Sequence, residues 1–141
     1  MHLLDHVSLS VPAIDLVRPF YDAVMAALGA GKVYDRPEAL GYGVRSNATE
    51  DFHSCLAIYA SPEARPDAKR HCCFKAATRA QVRAFHAAGL AHGGSDDGAP
   101  GLRTHYHANY YGAFYSTHLA TASKQSAIVP SNRPTNHLTS F

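Results

Sequence analysis

The sequence has little net charge and no long apolar run. Its 141 residues carry a formal net charge of +2, and 17% of them are charged, so no electrostatic argument favours nucleic acid or an anionic membrane as a partner. No apolar run approaches the roughly 20 residues of a membrane span, and the N-terminus lacks a basic region followed by an apolar stretch. We therefore expect a soluble, cytoplasmic protein of one domain.

Cysteine is also scarce. Cys55, Cys72 and Cys73 cannot form a disulfide framework, and none of them has the Cys-x-x-Cys spacing of a zinc site. Cys72 and Cys73 would point to opposite faces of a strand, which favours small core-filling side chains over an activated nucleophile. Histidine, in contrast, is abundant at ten residues, a number that fits metal or proton chemistry and fits equally a histidine-rich surface without function.

The chain nearly repeats itself at an offset of 65 residues without a gap. His6 corresponds to His71, and each histidine opens a short β-like run. Further matches are Val17 with Val82, Arg18 with Arg83, Phe20 with Phe85, Ala23 with Ala88, Ala26 with Ala91 and Gly29 with Gly94. A repeat of this length predicts two copies of one supersecondary unit. Two equivalent histidines suggest a metal site between the copies.

Hydrophobic periodicity predicts the same plan in both copies. A strand in which apolar and polar residues alternate precedes an amphipathic helix, and the helix ends at glycine. The predicted elements are a strand over 6–11, a helix capped by Asp15, strands over 32–35, 40–45 and 54–59, a connector over 61–69, a strand over 71–77, a helix over 80–91 capped by Thr78, and a loop over 93–101.

Several of these segments carry a family resemblance. They are His6–Val11, Arg18–Val24, Leu28-Gly29, His71, Val82–Ala88 and Asp97–Tyr111. Over residues 1 to about 115, the chain resembles the vicinal oxygen chelate superfamily, which includes glyoxalase I, the bleomycin- and fosfomycin-resistance proteins and the extradiol dioxygenases. The resemblance implies an α+β fold of two βαβββ modules, about 1–60 and 70–115, whose mixed sheets curl into a cup around a divalent metal. It also implies a small-molecule substrate and a homodimer.

The resemblance implies a metal ligand in the opening strand of each module, at His6 and His71. Neutral imidazole is a good ligand for zinc, iron, nickel or manganese, and open coordination positions let substrate oxygens chelate the metal. The candidates for binding and orienting the substrate are Arg103, His105, His107 and Tyr110. His105 and His107 would share a face if their segment is extended, although a polar loop at the rim of a pocket explains the same pattern.

The sequence lacks any carboxylate after Asp97. The superfamily normally closes its second module with a strand reading apolar-apolar-Asp-Pro-Asp-Gly-x-x-Ile-Glu, whose Glu completes the metal site. Tyr115–Gln125 reads YSTHLATASKQ instead. We therefore expect an altered last strand, an unpaired edge in the second sheet, and a divergent, disordered tail over 116–141 after a domain over 1–115. Two histidines without the carboxylate make a weak metal site.

A frameshift is our hypothesis for this change. Permitted codons for Tyr115–Gln125, read one base earlier, encode Leu-Asp-Pro-Pro-Arg-His-Ser-Ile-Glu-Ala, which is close to the expected closing strand. The Glu arises across the codons of Ser123 and Lys124. We expect the coding DNA to contain this second frame after about Phe114. Bases that cannot encode the Glu in that frame would contradict the hypothesis.

Three functions are open from the sequence. The first is a metal-dependent lyase, isomerase or dioxygenase that acts on a small oxygen-rich molecule. The second is a metal-free cup that sequesters an apolar or aromatic small molecule, as resistance-type relatives do, and the third is an inactive relic. Retention of metal would distinguish the first function from the others, and ligand-induced stabilisation would distinguish the second from the third. The residues expected to line the metal-free cup are Tyr106, Tyr110, Tyr111, Phe114 and Tyr115.

Overall fold

The computed structural model describes residues 3–50, 53–117 and 123–129. The elements are β1 (His6–Val11), α1 (Ile14–Ala27), β2 (Lys32–Arg36), β3 (Ala39–Gly43), β4 (Cys55–Ala60), β5 (His71–Lys75), α2 (Arg79–Ala91), β6 (Gly94–Leu102), β7 (Tyr111–Thr117) and β8 (Ser123–Val129). The order βαβββ occurs twice, which confirms the predicted α+β fold of two modules. Neither described helix has the length and apolar character that a membrane crossing requires.

Each module forms a four-stranded mixed sheet with the same strand order. The order is β1-β4-β3-β2 in the first sheet and β5-β8-β7-β6 in the second. In both sheets the opening strand pairs in parallel with the last strand of its module, and the other neighbours are antiparallel. The two opening strands begin at His6 and His71. The repeat in the sequence is therefore a repeat in the structure.

The two modules share one core through their helices. α1 packs against α2, and Phe20 of α1 lies edge-on to Tyr115 of β7 with the ring centroids 5.9 Å apart. Phe85, the counterpart of Phe20 in α2, lies 5.0 Å from the same Tyr115 ring. Val17 and Val82, another equivalent pair, are both buried. The matched apolar positions of the two copies thus meet in a single core.

One face of each sheet packs against the helices. We call the opposite face of each sheet the open face. In β5, Phe74 points towards the helices and contacts Phe85. The alternate residues His71, Cys73 and Lys75 are exposed on the open face. In the first sheet, Leu9 and Val11 of β1 are buried on the helix side.

The second sheet has all four of its strands in the described residues, so the prediction of an unpaired edge was wrong. β8 pairs in parallel with β5 and antiparallel with β7, and it lies between them. β7 itself extends to Thr117, beyond the expected boundary at residue 115. The strand forms because both flanking edges need a hydrogen-bonding partner, whatever the composition of the segment. The division into a domain and a tail stays a prediction, and residues 118–122 and 130–141 lie outside the described residues.

β8 brings polar side chains into the interior. Ser123, Gln125 and Ser126 are buried, and Gln125 Nε2 donates a hydrogen bond to Ser123 Oγ over 3.2 Å. Such bonds reduce the cost of burying polar groups. Because these buried positions carry polar side chains, the segment lacks the alternation of apolar and polar residues by which a strand is recognised in a sequence.

The predicted loop over 93–101 is a strand, β6. Its pairing with β7 is irregular, with register shifts between Asp96 and Gly98 and between Gly98 and Gly101. β6 is one of the two outer strands of the described second sheet, and an outer strand tolerates bulges, glycine and proline because one edge forms no ladder. The prediction was wrong because glycine and proline were taken to indicate a turn.

The two helices begin differently. The N-cap of α1 is Ala13, without a side-chain hydrogen bond, and the predicted cap Asp15 lies inside the first turn. Thr78 is the N-cap of α2, as predicted, and its Oγ1 accepts a hydrogen bond from the backbone N–H of Gln81 over 3.1 Å.

We expect Thr78→Ala to lower the free energy of unfolding by about 1 kcal/mol, because the N–H of Gln81 loses its acceptor at the helix N-terminus. Urea denaturation followed by circular dichroism measures this change. Thr78→Ser keeps the hydroxyl and should retain most of the stability. An alanine variant as stable as the unmodified protein would contradict the contribution of the cap.

Candidate functional site

A cleft lies between the strands β1 and β5, the neighbouring outer strands of the two sheets as described. It contains a cavity of about 710 Å³. Apolar side chains form its floor on the helix side, among them Met25 and Leu28 of α1. Both histidines that were predicted as metal ligands, His6 and His71, line the same cavity. A cavity of this size with apolar walls and few polar groups has the character of a small-molecule site.

The two histidines have different surroundings. His6 is exposed, and its Nδ1 lies 2.9 Å from Oδ2 of Asp5. His71 shares a hydrogen bond of 2.8 Å between its Nε2 and Oγ of Ser126 in β8. Burial lowers the pKa of His71, and the charge of Lys124 lowers it further. The structure therefore favours a neutral imidazole at His71, held in place by its bond to β8.

Lys124 carries a positive charge close to His71. The two residues are direct partners in the parallel ladder of β5 and β8. Lys124 Nζ lies 2.9 Å from Oδ2 of Asp97 and 5.0 Å from the ring centroid of Phe114. The resemblance implies a carboxylate from the closing strand at the metal site, and the hypothetical Glu of the second frame arises across the codons of Ser123 and Lys124. This chain has a cation at that position.

We expect Lys124→Met to raise the pKa of His71, because the variant removes a positive charge that opposes protonation of the imidazole. NMR of the imidazole C–H signals between pH 8 and pH 4 measures the shift. Lys75→Met removes a charge from the same face of β5 and should leave the pKa of His71 nearly unchanged. Equal shifts in both variants would contradict a specific effect of Lys124.

The sign of the pH dependence of stability follows from the same shift. The pKa of His71 in the folded protein lies below its ordinary value of 6.5, so the unfolded chain binds more protons than the folded chain in the window below that value. His71 therefore makes the protein less stable as the pH falls through this window, and its effect is absent at higher pH.

The donors around His71 do not fit a divalent metal. Catalytic sites for zinc usually contain three protein ligands. In residues 3–50, 53–117 and 123–129, no three side chains of histidine, cysteine, aspartate or glutamate are grouped so that they could hold a metal ion. The nearby carboxylate of Asp97 is paired with Lys124, and a positive charge beside His71 repels a second cation. The ligand set implied by the resemblance is therefore incomplete here.

The structure is similar to solved structures of glyoxalase-type proteins. A glyoxalase/bleomycin resistance protein from Albidiferax ferrireducens T118 has 26% identity and a TM-score of 0.69, over 91% of this chain and 98% of that chain. The chain has the fold of the vicinal oxygen chelate superfamily.

Two more distant structures share the superfamily fold. A glyoxalase/bleomycin resistance protein/dioxygenase family enzyme from Burkholderia phytofirmans PsJN has 18% identity and a TM-score of 0.59, over 89% of this chain and 98% of that chain. Lactoylglutathione lyase from Agrobacterium tumefaciens has 13% identity and a TM-score of 0.58, over 92% of this chain and 95% of that chain. Neither a protein-family model nor a curated protein matches the sequence.

Arg103, one of the predicted substrate residues, lies against Phe114 of β7. Its guanidinium carbon is 5.8 Å from the ring centroid of Phe114, and its Nη2 donates a hydrogen bond to the carbonyl of Ala99 over 2.6 Å. Lys124 contacts the same ring. Two cations therefore lie at Phe114, and the carboxylate of Asp97 pairs with one of them.

The other predicted substrate residues lie in the segment between β6 and β7. The segment forms turns, so the condition under which His105 and His107 would share a strand face is not met. The aromatic rings contact one another along the segment in tilted or edge-on arrangements, with centroid distances of 4.3 Å from His105 to Tyr106, 4.7 Å from Tyr106 to Tyr110 and 5.3 Å from His107 to Tyr110. Tyr110 forms a side-chain hydrogen bond with Cys73, which lines the cleft. Their role in substrate binding stays a prediction.

Sequence reasoning missed that all three cysteines line the cleft. Cys72 lies on the helix side of β5, where burial raises the pKa of its thiol, and Cys73 is exposed on the open face. The opposite directions agree with the predicted alternation. Both residues line one cavity because the cavity lies at the edge of β5. The alternation of residues along a strand does not show whether the strand lies at the edge of a sheet, so the sequence did not predict this. Ser126 and Lys124 were missed because β8 was not recognised as a strand.

Proposed function

We propose that the protein binds a small oxygen-rich molecule in the cleft between β1 and β5 without a metal ion. The observation that carries this proposal is the position of Lys124, which is the ladder partner of His71, a residue that lines the cleft. An ammonium group is a compact positive charge with three hydrogen-bond donors. It therefore attracts carbonyl, hydroxyl or carboxylate oxygens of a ligand at this position.

The other groups around the cleft supply complementary contacts. The neutral imidazole of His71 has one donor and one acceptor nitrogen, and its Nε2 is already bonded to Ser126. The other nitrogen of the ring can therefore accept or donate one bond to the ligand, according to the tautomer. The apolar floor, with Met25 and Leu28, takes the carbon skeleton. This combination favours binding and orientation of the ligand over chemical activation.

Binding is tested with the purified, untagged protein and a panel of small dicarbonyl, hydroxy-acid and catechol compounds. We expect at least one compound to raise the unfolding midpoint, because a ligand that binds the folded state alone stabilises it. Lys124→Met should reduce this shift, and Lys69→Met, in the exposed connector and outside the lining of the cleft, should retain it. An unchanged midpoint with every compound would contradict the proposal and favour an inactive relic.

Metal content is measured in parallel by elemental analysis. We expect less than stoichiometric metal in the unmodified protein and no difference from the His6→Ala, His71→Ala double variant. Stoichiometric metal that is lost in the double variant would contradict the metal-free proposal, and it would support the metal-dependent lyase, isomerase or dioxygenase expected from the sequence. The homodimer and the cytoplasmic location stay predictions, and size-exclusion chromatography with light scattering tests the first of them.

A further inference from the structure

The ring of Phe114 has two cations and one carboxylate beside it. Phe114 lies on the open face of the second sheet, in the row of ladder partners that includes Cys73. Lys124 and Arg103 lie 5.0 Å and 5.8 Å from the ring centroid, and Asp97 pairs with Lys124 over 2.9 Å. In the described part of the chain, Arg103 forms no ion pair. This surface therefore has a positive charge that its own carboxylate does not balance.

The guanidinium of Arg103 is held in a fixed position by β6. It lies against Gly98 and Gly101, where a methyl group would approach Nη2 to 3.2 Å and Nη1 to 3.0 Å. Nη1 and Nη2 each donate one hydrogen bond, to the carbonyls of Leu102 and Ala99. Arginine has five N–H donors, and the other three, with Nε–H among them, have no partner among the described residues. These donors are available to a ligand.

Asp97 is the extra residue of a β-bulge. Asp96 and Gly98 are the ladder partners of the consecutive residues Tyr115 and Phe114, so Asp97 between them has no ladder partner among the described residues. In a regular strand Gly98 would share the helix-side face with Asp96. Gly98 instead faces the ring of Phe114, where a methyl group would lie 3.1 Å from Cδ2. The bulge thus adds one side chain to the open face, a frequent use of bulges beside functional sites.

The ion pair of Asp97 and Lys124 is accessible to a ligand. The two side chains are 44% and 39% exposed, and an ion pair with this exposure contributes little to stability. Asp97 belongs to an outer strand, so it can move without disturbing the ladder of β7 and β8. The ring of His71, which lines the cleft, lies 6.3 Å from that of Phe114. The ion pair is therefore adjacent to the residues of the cleft.

We propose that Asp97 is an internal competitor for the ligand, whose own carboxylate replaces that of Asp97 at Lys124 and is also attracted by Arg103. The ligand is then a small carboxylic acid in its anionic form, with a hydroxyl or carbonyl oxygen near His71. Hydrogen bonds from ammonium and guanidinium groups to a carboxylate are the strong ones. This inference rests on the proposed binding function and specifies the charged group of its ligand. A free inorganic oxyanion offers the same chemistry to the two cations.

The test compares three probes by isothermal titration calorimetry at low ionic strength, where charge interactions are least screened. 2-Hydroxyisobutyrate has the carboxylate and a hydroxyl on an apolar body, 2-hydroxyisobutyramide has the same shape without the charge, and inorganic phosphate has the charge without the body. We expect the unmodified protein to bind the carboxylate more tightly than the amide. Phosphate that binds as tightly as the carboxylate would overturn the assignment of a carboxylic acid.

Asp97→Asn is the decisive variant. We expect it to bind 2-hydroxyisobutyrate at least about fivefold more tightly, because the ligand no longer competes with a charged internal partner. Its unfolding midpoint should stay within about two degrees of the unmodified value, since the lost ion pair is partly exposed. Arg103→Met should bind the carboxylate at least about fivefold more weakly and leave the affinity for the amide unchanged. Asp97→Ser provides a second variant without the charge if Asp97→Asn does not fold.

The matched control is Asp96→Asn, which makes the same change of charge one residue earlier. The carboxylate of Asp96 faces α2, where its Oδ1 lies 2.9 Å from Nε2 of His86, and it forms no ion pair with Lys124. We expect Asp96→Asn to change the affinity for the carboxylate by less than about twofold, because only a screened, longer-range charge effect remains.

Three results would overturn the inference. The first is an unmodified protein and an Asp97→Asn variant that both fail to bind 2-hydroxyisobutyrate. The second is an equal gain in Asp97→Asn and Asp96→Asn, which would indicate a general effect of charge. The third is weaker binding in Asp97→Asn, which would indicate that Asp97 positions Lys124 for the ligand. A neutral oxygen-rich compound whose binding requires Lys124 would leave the proposed function intact in each case, whereas the absence of any ligand in the panel would contradict both.

Discussion

Lys124→Glu should create a divalent-metal site at His71. The variant replaces the ammonium with a carboxylate, and it releases Asp97 from its ion pair. His71 would then have two carboxylates beside it, a donor set that zinc and nickel bind. We expect zinc at about 100 times its Kd to raise the free energy of unfolding of the variant by about 2.7 kcal/mol. Calorimetric titration with zinc and thermal unfolding with and without zinc measure the two effects.

A matched control separates this gain from a general effect of charge. Lys69→Glu makes the same change of charge in the connector before β5, and it should bind no more zinc than the unmodified protein. A chelator should reverse the stabilisation of Lys124→Glu. A Lys124→Glu variant that does not bind zinc would contradict the view that the cation at this position is what distinguishes the site from a metal centre.

Gly89→Ala should destabilise the protein by about 2 to 3 kcal/mol, the upper part of the usual range for overpacking. In an exposed helix the same substitution stabilises, because glycine is the poorer helix former by roughly 1 kcal/mol. At Gly89 the sign reverses, since a methyl group there would overlap the ring of Tyr115. That ring is fully buried between Phe20 and Phe85, so it has no free space in which to move. Chemical denaturation measures the loss.

Gly31→Ala is the control for this substitution. A methyl group on Gly31 would have no atom within 4 Å, so the change in stability should be within about 0.5 kcal/mol. Equal effects at the two positions would contradict the close packing of α2 on Tyr115. A second variant, Gly89→Ala with Tyr115→Leu, should recover part of the loss, because the smaller side chain gives the methyl group room.

Most of the fold was predictable because the sequence contains two copies of one structural unit, and each copy supports the interpretation of the other. His6 and His71 open the two sheets, and Phe20 and Phe85 meet in the core, as their equivalence in the sequence predicts. β6 and β8 were not recognised. In β6 the glycines and Pro100 are tolerated by an outer strand, and in β8 buried Gln125 replaces an apolar residue. Tertiary pairing decided both strands, and local propensity did not.

The candidate site was predictable only in part. The placement of His6 and His71 on one cavity follows from the two-module plan. The charge at Lys124 does not, because its relation to His71 depends on the register of a strand that the sequence pattern does not reveal. The sequence also does not indicate that Nη1 of Arg70 and the hydroxyl of Tyr115 lack hydrogen-bond partners among the described residues. Which polar group lacks a partner is a property of packing between modules, and no local pattern encodes it.

The position of β8 imposes an order on folding during translation. The first sheet has all its strands once Ala60 has left the ribosome, whereas the centre of the second sheet requires Val129. Until then β5 has no parallel partner, and the polar residues at the centre of the second sheet cannot be sheltered. The first module can thus fold early, and the second is open to chaperones and proteases for longer. A premature stop codon between β5 and β8 would release a chain in which the first sheet is complete and the edge of β5 is exposed.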